Sequence, residues 1–489
     1  MNIMTYTVTE VTKDVDGEFT KEELQNLKVI GGKNAGVCYQ KDDYFGTSVS
    51  DPVKAAPRFN QVADTGHHSI ADHTQVTVLL EGISKMLAIV LNSLGCYATS
   101  EKSGRYTVMT GNSDEERQLY EKWKSIFKNR ILEVKPDIDD VMLLKKFEKK
   151  YPDSGYTVRG RRLLELEPKL DAKTDKEAST YFRETLLQDE TLPSQKMAQE
   201  NARYILSVFT HSTTMKYTTS LRQWNYIYDW CVDFCNKYEP KADKEYIKVM
   251  AGGNGDVTII RKSDGNVASY FEKSMYYDLL SLSNFIYETL YVEELRDFKH
   301  RRFDCMAMLY KDHPMNLYDL INDKVDVTYQ VSYPASFVQI AQAQRHRTLK
   351  YYMLFDIEAN GDYDYFIPPV IRGTGYEQEW LNDLKSVECF VPQATMINIV
   401  ETGTLDNFIL KCEERLCGRA QLEVMEQTRD TTNRFIKAVD SGECTNPVAL
   451  AYINELHTDN GQLKTKGMLL GSCRESCMWG CSSALDRPF

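Results

Sequence analysis

Four short stretches concentrate the residue types that do chemistry. Gly66-His67-His68-Ser69-Ile70-Ala71-Asp72-His73 places three histidines within seven residues. Imidazoles bind metals, but the spacing fits no standard zinc pattern and no second cluster completes it. A structural use is the alternative, with Ser69 or Asp72 capping a following helix. In Glu101-Lys102-Ser103-Gly104-Arg105-Tyr106, an extended backbone would point Glu101, Ser103 and Arg105 to one side. A serine and an arginine can hold a phosphate, the arginine bidentately; a solvated polar loop accounts for the same residues. In Gln342-Ala343-Gln344-Arg345-His346-Arg347, Gln342 and Arg345 share a helix face at i, i+3. The arginines flanking His346 either complement the negative end of that helix or clamp an anionic ligand. Arg415 follows Phe408 and Cys412 on an apolar stripe, so it needs an anionic partner. Glu413, Glu414 and Glu423 are close in sequence, and a ligand would serve equally. The tail Cys473-x3-Cys477-x3-Cys481 puts three thiols on one helical face, but no fourth ligand is in sight and no metal is expected.

The elements that carry these stretches follow from periodicity. Ile83, Met86, Leu87, Val90, Leu91 and Leu94 form a helical stripe that runs into loop or extended chain over 97–107. Phe337, Ile340, Ala341 and Gln344 open a second helix, which leads through Arg345-His346-Arg347 to a loop over 356–364 and a short strand at Tyr365-Phe366-Ile367. Further helices are predicted over 196–209, 220–238 and 407–437. The stretch 237–256, with Pro240, Gly252, Gly253 and Gly255, reads as a linker. The chain therefore divides into two halves, 1–240 and 241–489, in a helix-rich α+β class with small mixed sheets.

The 489 residues exceed what one core usually takes, and the composition, 42% hydrophobic and 27% charged, is that of an ordinary soluble protein. A net charge of −12 argues against wrapping long nucleic acid, whereas a small anion needs only local arginines. The most apolar run, 76–94, is broken by Glu81, Lys85 and Asn92, so no membrane span is expected and cytoplasmic residence follows. The twelve cysteines then read as reduced core residues.

Taken together, the four stretches resemble the flavin-dependent thymidylate synthase (ThyX) family. That family has a Gly-His-x-Ser-x-x-Glu-His segment, a helix ending in Gln-x-x-Arg-His-Arg, and a Glu-x-Ser-x-Arg loop. A late arginine and an Ala-Gln-x-Glu pair follow. Gly66–His73 is similar to the first, with Asp72 for Glu. Gln342–Arg347 matches the helix end, Glu101–Tyr106 the loop, and Arg415 with Ala420-Gln421-Leu422-Glu423 the late motif. Each half lacks what the other keeps. The first half has Ser93-Leu94-Gly95 at the Arg-His-Arg position, and Trp230 lies near its late-arginine position. The second has Met353, Phe355 and Ile357 in its loop and Glu388 where the first has Arg203; the positions near Thr404 and Asp406 are lost too.

The resemblance implies two tandem ThyX-like domains paired as a pseudo-dimer with one composite site. It implies FAD-dependent reductive methylation of dUMP to dTMP, with methylenetetrahydrofolate and NADPH as co-substrates. Gln342, Arg345, Glu101, Ser103, Gly104, Arg105, Arg203 and Arg415 would bind dUMP, with Arg415 favouring the anionic uracil. His67, Ser69, Glu101, Asn225, Arg345, His346 and Arg347 would bind FAD. A homo-oligomer is expected. The alternatives are a relative that adds another one-carbon group to a pyrimidine nucleotide, and an inactive nucleotide- or flavin-binding protein.

Overall fold

A computed structural model describes residues 20–37, 51–93, 97–104, 107, 109, 111–152, 172–242, 257–296, 318–322, 327–417, 420–443 and short stretches between 450 and 464. Arg105 and the cysteines 473, 477 and 481 lie outside the described residues, as do Leu94 and Gly95. The chain packs as two compact units. Unit 1 comprises Met1–Lys102, His211–Lys311 and Phe355–Asn360; unit 2 comprises Ser103–Thr210, Asp312–Leu354 and Gly361–Phe489. Each unit draws on both sequence halves, so packing and motif repetition divide the chain differently.

In unit 1 the strand Thr213–Ser220 lies between Gln75–Ile83 and Ala98–Glu101 and runs antiparallel to both. Its side chains alternate, with Met215 and Tyr217 inside and Lys216 outside, the period-2 pattern of a one-sided sheet. Ser84 ends the first strand and caps helix Lys85–Leu91, its Oγ accepting from Leu87 N at 2.9 Å. Ser220 likewise caps helix Leu221–Cys235, whose Leu221, Trp224, Ile227 and Cys231 are buried. The segment after His73 is a strand, not the helix expected there. The Asp72 carboxylate caps no following helix and instead accepts from Ser220 Oγ and the Arg222 guanidinium. Part of the expected linker is also ordered: Tyr238–Ala242 pairs with Val257–Arg261, with Pro240 on a two-stranded ladder where every strand is an edge.

Unit 2 repeats the same order of elements. Its strand Met396–Thr404 lies between Val327–Ser336 and Lys350–Leu354, with Tyr318–Asn322 added outside. Ser336 caps helix Phe337–Ala343 through Gln339 N at 3.1 Å, and helix Leu405–Arg415 follows the central strand. The helix expected over 407–437 is two, Leu405–Arg415 and Leu422–Asp440. Helices Asp114–Val134, Pro193–Ala202 and Gly375–Ser386 close an aromatic core in which Trp123 meets Trp380 edge-on at 4.8 Å and Tyr204 stacks on Phe366 at 4.8 Å.

The fold is α+β. Among the described residues the paired strands are all antiparallel rather than mixed. In both three-strand arrangements the two outer strands share a direction, but the return strand inserts between them, so no parallel neighbours arise. No helix among the described residues is long and apolar enough to cross a membrane.

Candidate functional site

In unit 2 a run of contacts joins residues that are far apart in sequence. Gly104 follows Ser103 in the loop that leaves the sheet of the first half. A Cβ on Gly104 would come within 3.3 Å of Arg203 Nη1, so the bare backbone lets the loop lie against that guanidinium. Ser103 fixes the loop from the other side, its carbonyl accepting from Thr107 N at 3.0 Å and Thr107 Oγ1 at 2.7 Å.

Arg203 is buried, in the turn that ends helix Pro193–Ala202. Its Nη2 donates to Gln421 Oε1, and the same oxygen accepts from Gln342 Nε2. Gln421 Nε2 in turn donates to the Tyr204 hydroxyl. Tyr204 donates onward to Glu423 Oε2 at 2.7 Å, and that carboxylate also takes Ser336 Oγ at 2.7 Å and Ser336 N at 2.8 Å. Burial pushes the Glu423 carboxyl up, opposed by these donors and by the charge of Arg203. Burial also raises the Tyr204 hydroxyl well above its ordinary range, so it stays a donor. Glu423 thereby ties Tyr204, from the first half, to the cap of helix Phe337–Ala343, from the second.

Gln342 opens the C-terminal turn of that helix. Arg415 Nη2 donates to its carbonyl at 3.3 Å from the last residue of helix Leu405–Arg415. The Arg415 side chain is 16% exposed, enough to reach a ligand from a mostly desolvated position. Arg345 and Arg347 are exposed, whereas His346 between them is buried. Burial, then the charges of Arg415 and Lys411, hold His346 down at about 3, so it is neutral at any working pH. Its 3.5 Å approach to Glu414 is accordingly no ion pair.

Unit 1 holds the other sequence-derived candidates in different circumstances. His67 and Ser69 are exposed at a short turn, and neither histidine nor serine makes a cap. Glu101 accepts from Lys85 and from Asn92 Nδ2, the latter at 3.4 Å. Asn225 is fully buried, donating to Leu221 O and Leu290 O and accepting from Val292 N at 2.6 Å. Its amide is spent on tying the first turn of its own helix to the segment 290–292. Among the described residues no group of three or more His, Cys, Asp or Glu is placed to hold a metal.

Residues 31–248 match the model of the thymidylate synthase complementing protein family. No curated protein matches the chain. The matched span contains His67, Ser69, Glu101, Ser103, Gly104, Arg203 and Asn225, while Gln342, Arg345 and Arg415 lie beyond it. The similarity to that family therefore lies in the first half, and the likeness of the second half rests on its own motifs and on the repeated order of strands and helices.

Gln421 was not singled out as a site residue from sequence. The signal was available: a glutamine in an Ala-Gln-x-Glu group just after an arginine on an apolar stripe has to satisfy its amide somewhere inside.

Proposed function

We propose that this chain is a flavin-dependent thymidylate synthase that converts dUMP to dTMP with methylenetetrahydrofolate and NADPH, and that one composite nucleotide site draws on both sequence halves. The observation that carries the reading is Gln421, whose single oxygen takes donors from Arg203 of the first half and Gln342 of the second. The match of residues 31–248 to the thymidylate synthase complementing protein family supports this class of reaction. The repeated order of strands and helices supports a duplication as the origin of the two halves.

Each residue has a part that its chemistry fits. Arg203 and the Ser103-Gly104-Arg105 loop would hold the phosphate, for which guanidinium and hydroxyl donors are suited. Arg415, poorly solvated and permanently charged, would stabilise negative charge that grows on the uracil ring, the kind of interaction that lowers a barrier rather than tightening binding. Arg345 and Arg347, two exposed cations around a neutral imidazole, fit the phosphates of FAD. Bound there, FAD supplies the reducing equivalents. The resemblance also assigns His67, Ser69, Glu101 and Asn225 to the flavin; in unit 1, His67 and Ser69 are exposed, Glu101 is paired with Lys85 and Asn225 is buried.

The test is turnover of dUMP by the purified full chain with methylenetetrahydrofolate, NADPH and FAD, together with the absorbance spectrum after desalting. Retained flavin and formation of dTMP are expected. Folded protein that retains no flavin and makes no dTMP would leave the inactive nucleotide-binding protein as the better account. Flavin retention with another one-carbon product would point to a sister enzyme.

A further inference from the structure

Beneath Arg415 lies a charged pair with no exposure at all. Lys411 and Glu401 are each fully buried, with Lys411 Nζ 2.6 Å from Glu401 Oε2. Tyr333 donates to the same carboxylate oxygen and Tyr329 to the other, both at 2.7 Å. Lys411 donates further to Gln427 at 2.9 Å, whose amide donates to Thr431 at 2.8 Å. The network thus pins four elements: strands Val327–Ser336 and Met396–Thr404 and helices Leu405–Arg415 and Leu422–Asp440.

Stability alone does not account for such a pair. Desolvating two charges costs most of what their attraction returns, and apolar replacements are often neutral or better. The molecule contains its own comparison. Lys411 is the seventh residue of its helix, and the seventh residue of the matching helix in unit 1 is Ile227, also fully buried. Glu401 lies four residues before its helix, and the residue so placed in unit 1 is Tyr217. The same arrangement of elements therefore closes over an apolar position without an ion pair.

What distinguishes the second copy is Arg415, one helical turn beyond Lys411 and on the same face. Arg415 ends its helix, where the backbone has few bonds to hold it. Thr404 at the other end makes no side-chain cap. The Cys412 thiol meets Thr432 Oγ1 only at 3.9 Å, and the buried Leu405, Phe408 and Ile409 make apolar, non-directional contacts that tolerate small rotations. A carboxylate taking three donors does not.

We propose that Lys411, through its buried pair with Glu401, is a positioning residue that sets the rotation of helix Leu405–Arg415 and so holds the Arg415 guanidinium against the Gln342 carbonyl. The inference rests on the proposed function only for what Arg415 then does.

The test uses the full-length double variant Lys411→Met/Glu401→Gln, which removes both charges at nearly constant volume. Site-resolved phenylglyoxal labelling, read by peptide mass spectrometry, reports Arg415 directly and needs no ligand. Arg415 labelling should rise about tenfold, within the range that couplings between contacting residues span. Arg372 labelling and the melting temperature should stay near wild type. In turnover with dUMP, kcat should fall while KM holds. Wild-type labelling of Arg415 in a folded double variant would overturn the proposal. If the double variant does not fold, Glu401→Gln alone is labelled instead; failure of both to fold would assign the pair to folding and equally overturn it. A wild-type protein with no turnover would sink the proposed function while the labelling still decides the positioning.

Discussion

Two regions of this molecule are built on one plan and furnished differently. In each, a strand ends at a serine that caps a seven-residue helix, a short strand follows, and a later strand inserts between the two before running into a second helix. The interior of the first copy is apolar at Tyr217, Ile227 and Cys231, and burial lifts the Cys231 thiol well above its usual range. The second copy has Glu401, Lys411 and Arg415 at the same steps. The plan is thus held by serine caps and apolar alternation. The chemistry is set by a few interior substitutions that the plan tolerates only when each new charge brings its partner.

That contrast can be broken most forcefully in the first copy. Ile227→Lys puts a charge in the copy where Tyr217 takes the position of Glu401, so it should cost about 3–5 kcal/mol, the scale for an uncompensated buried charge. Urea denaturation measures it, and an unchanged midpoint would show that the copies do not differ in the way argued. In the second copy, Arg415→Ala should lower kcat with dUMP by about 10²–10³, as loss of one preorganised donor does elsewhere. Steady-state kinetics would refute this role if only KM moved.

Gln421→Glu offers a milder probe. A carboxylate beside Arg203 would compete with phosphate for the guanidinium, so dUMP affinity should fall about tenfold, equivalent to 1.4 kcal/mol. Calorimetry reads the change, and a gain in affinity would contradict the bridging role. The smallest effect concerns His346, held neutral down to about 3. The unfolded chain protonates this imidazole near its ordinary value while the folded chain does not. Stability should therefore decline as pH falls from about 6.5 toward 3. His346→Gln should flatten that decline in melting curves, and an identical slope would mean that the ring is not shielded.

Much of the plan was legible in the sequence because helical stripes are local. The stripes through Met86, Leu87, Val90 and Leu91 and through Phe337, Ile340 and Ala341 both became helices. Strand pairing was not legible, since Gln75 meets Ser220 and Tyr329 meets Gly403 across long stretches of chain, and no short-range pattern records a register. The motif residues were visible as chemistry, but their surroundings were not. Asn225 was expected at a cofactor, and nothing local revealed that its amide would tie Leu221, Leu290 and Val292 together. Lys411 passed unnoticed because a single lysine near an apolar stripe commonly bends out to water.

The central claim is that Arg203 and Gln342, from opposite halves of the sequence, serve one nucleotide through Gln421. A double-mutant cycle on dUMP binding tests it most directly, with Arg203→Ala, Gln342→Ala and the pair together compared by calorimetry in the presence of FAD. Residues that share a partner couple by about 0.5–3 kcal/mol. Each single variant should therefore weaken binding, and the pair should weaken it by clearly less than the product of the two. Strictly multiplicative losses, or dUMP binding that neither substitution alters, would contradict a composite site.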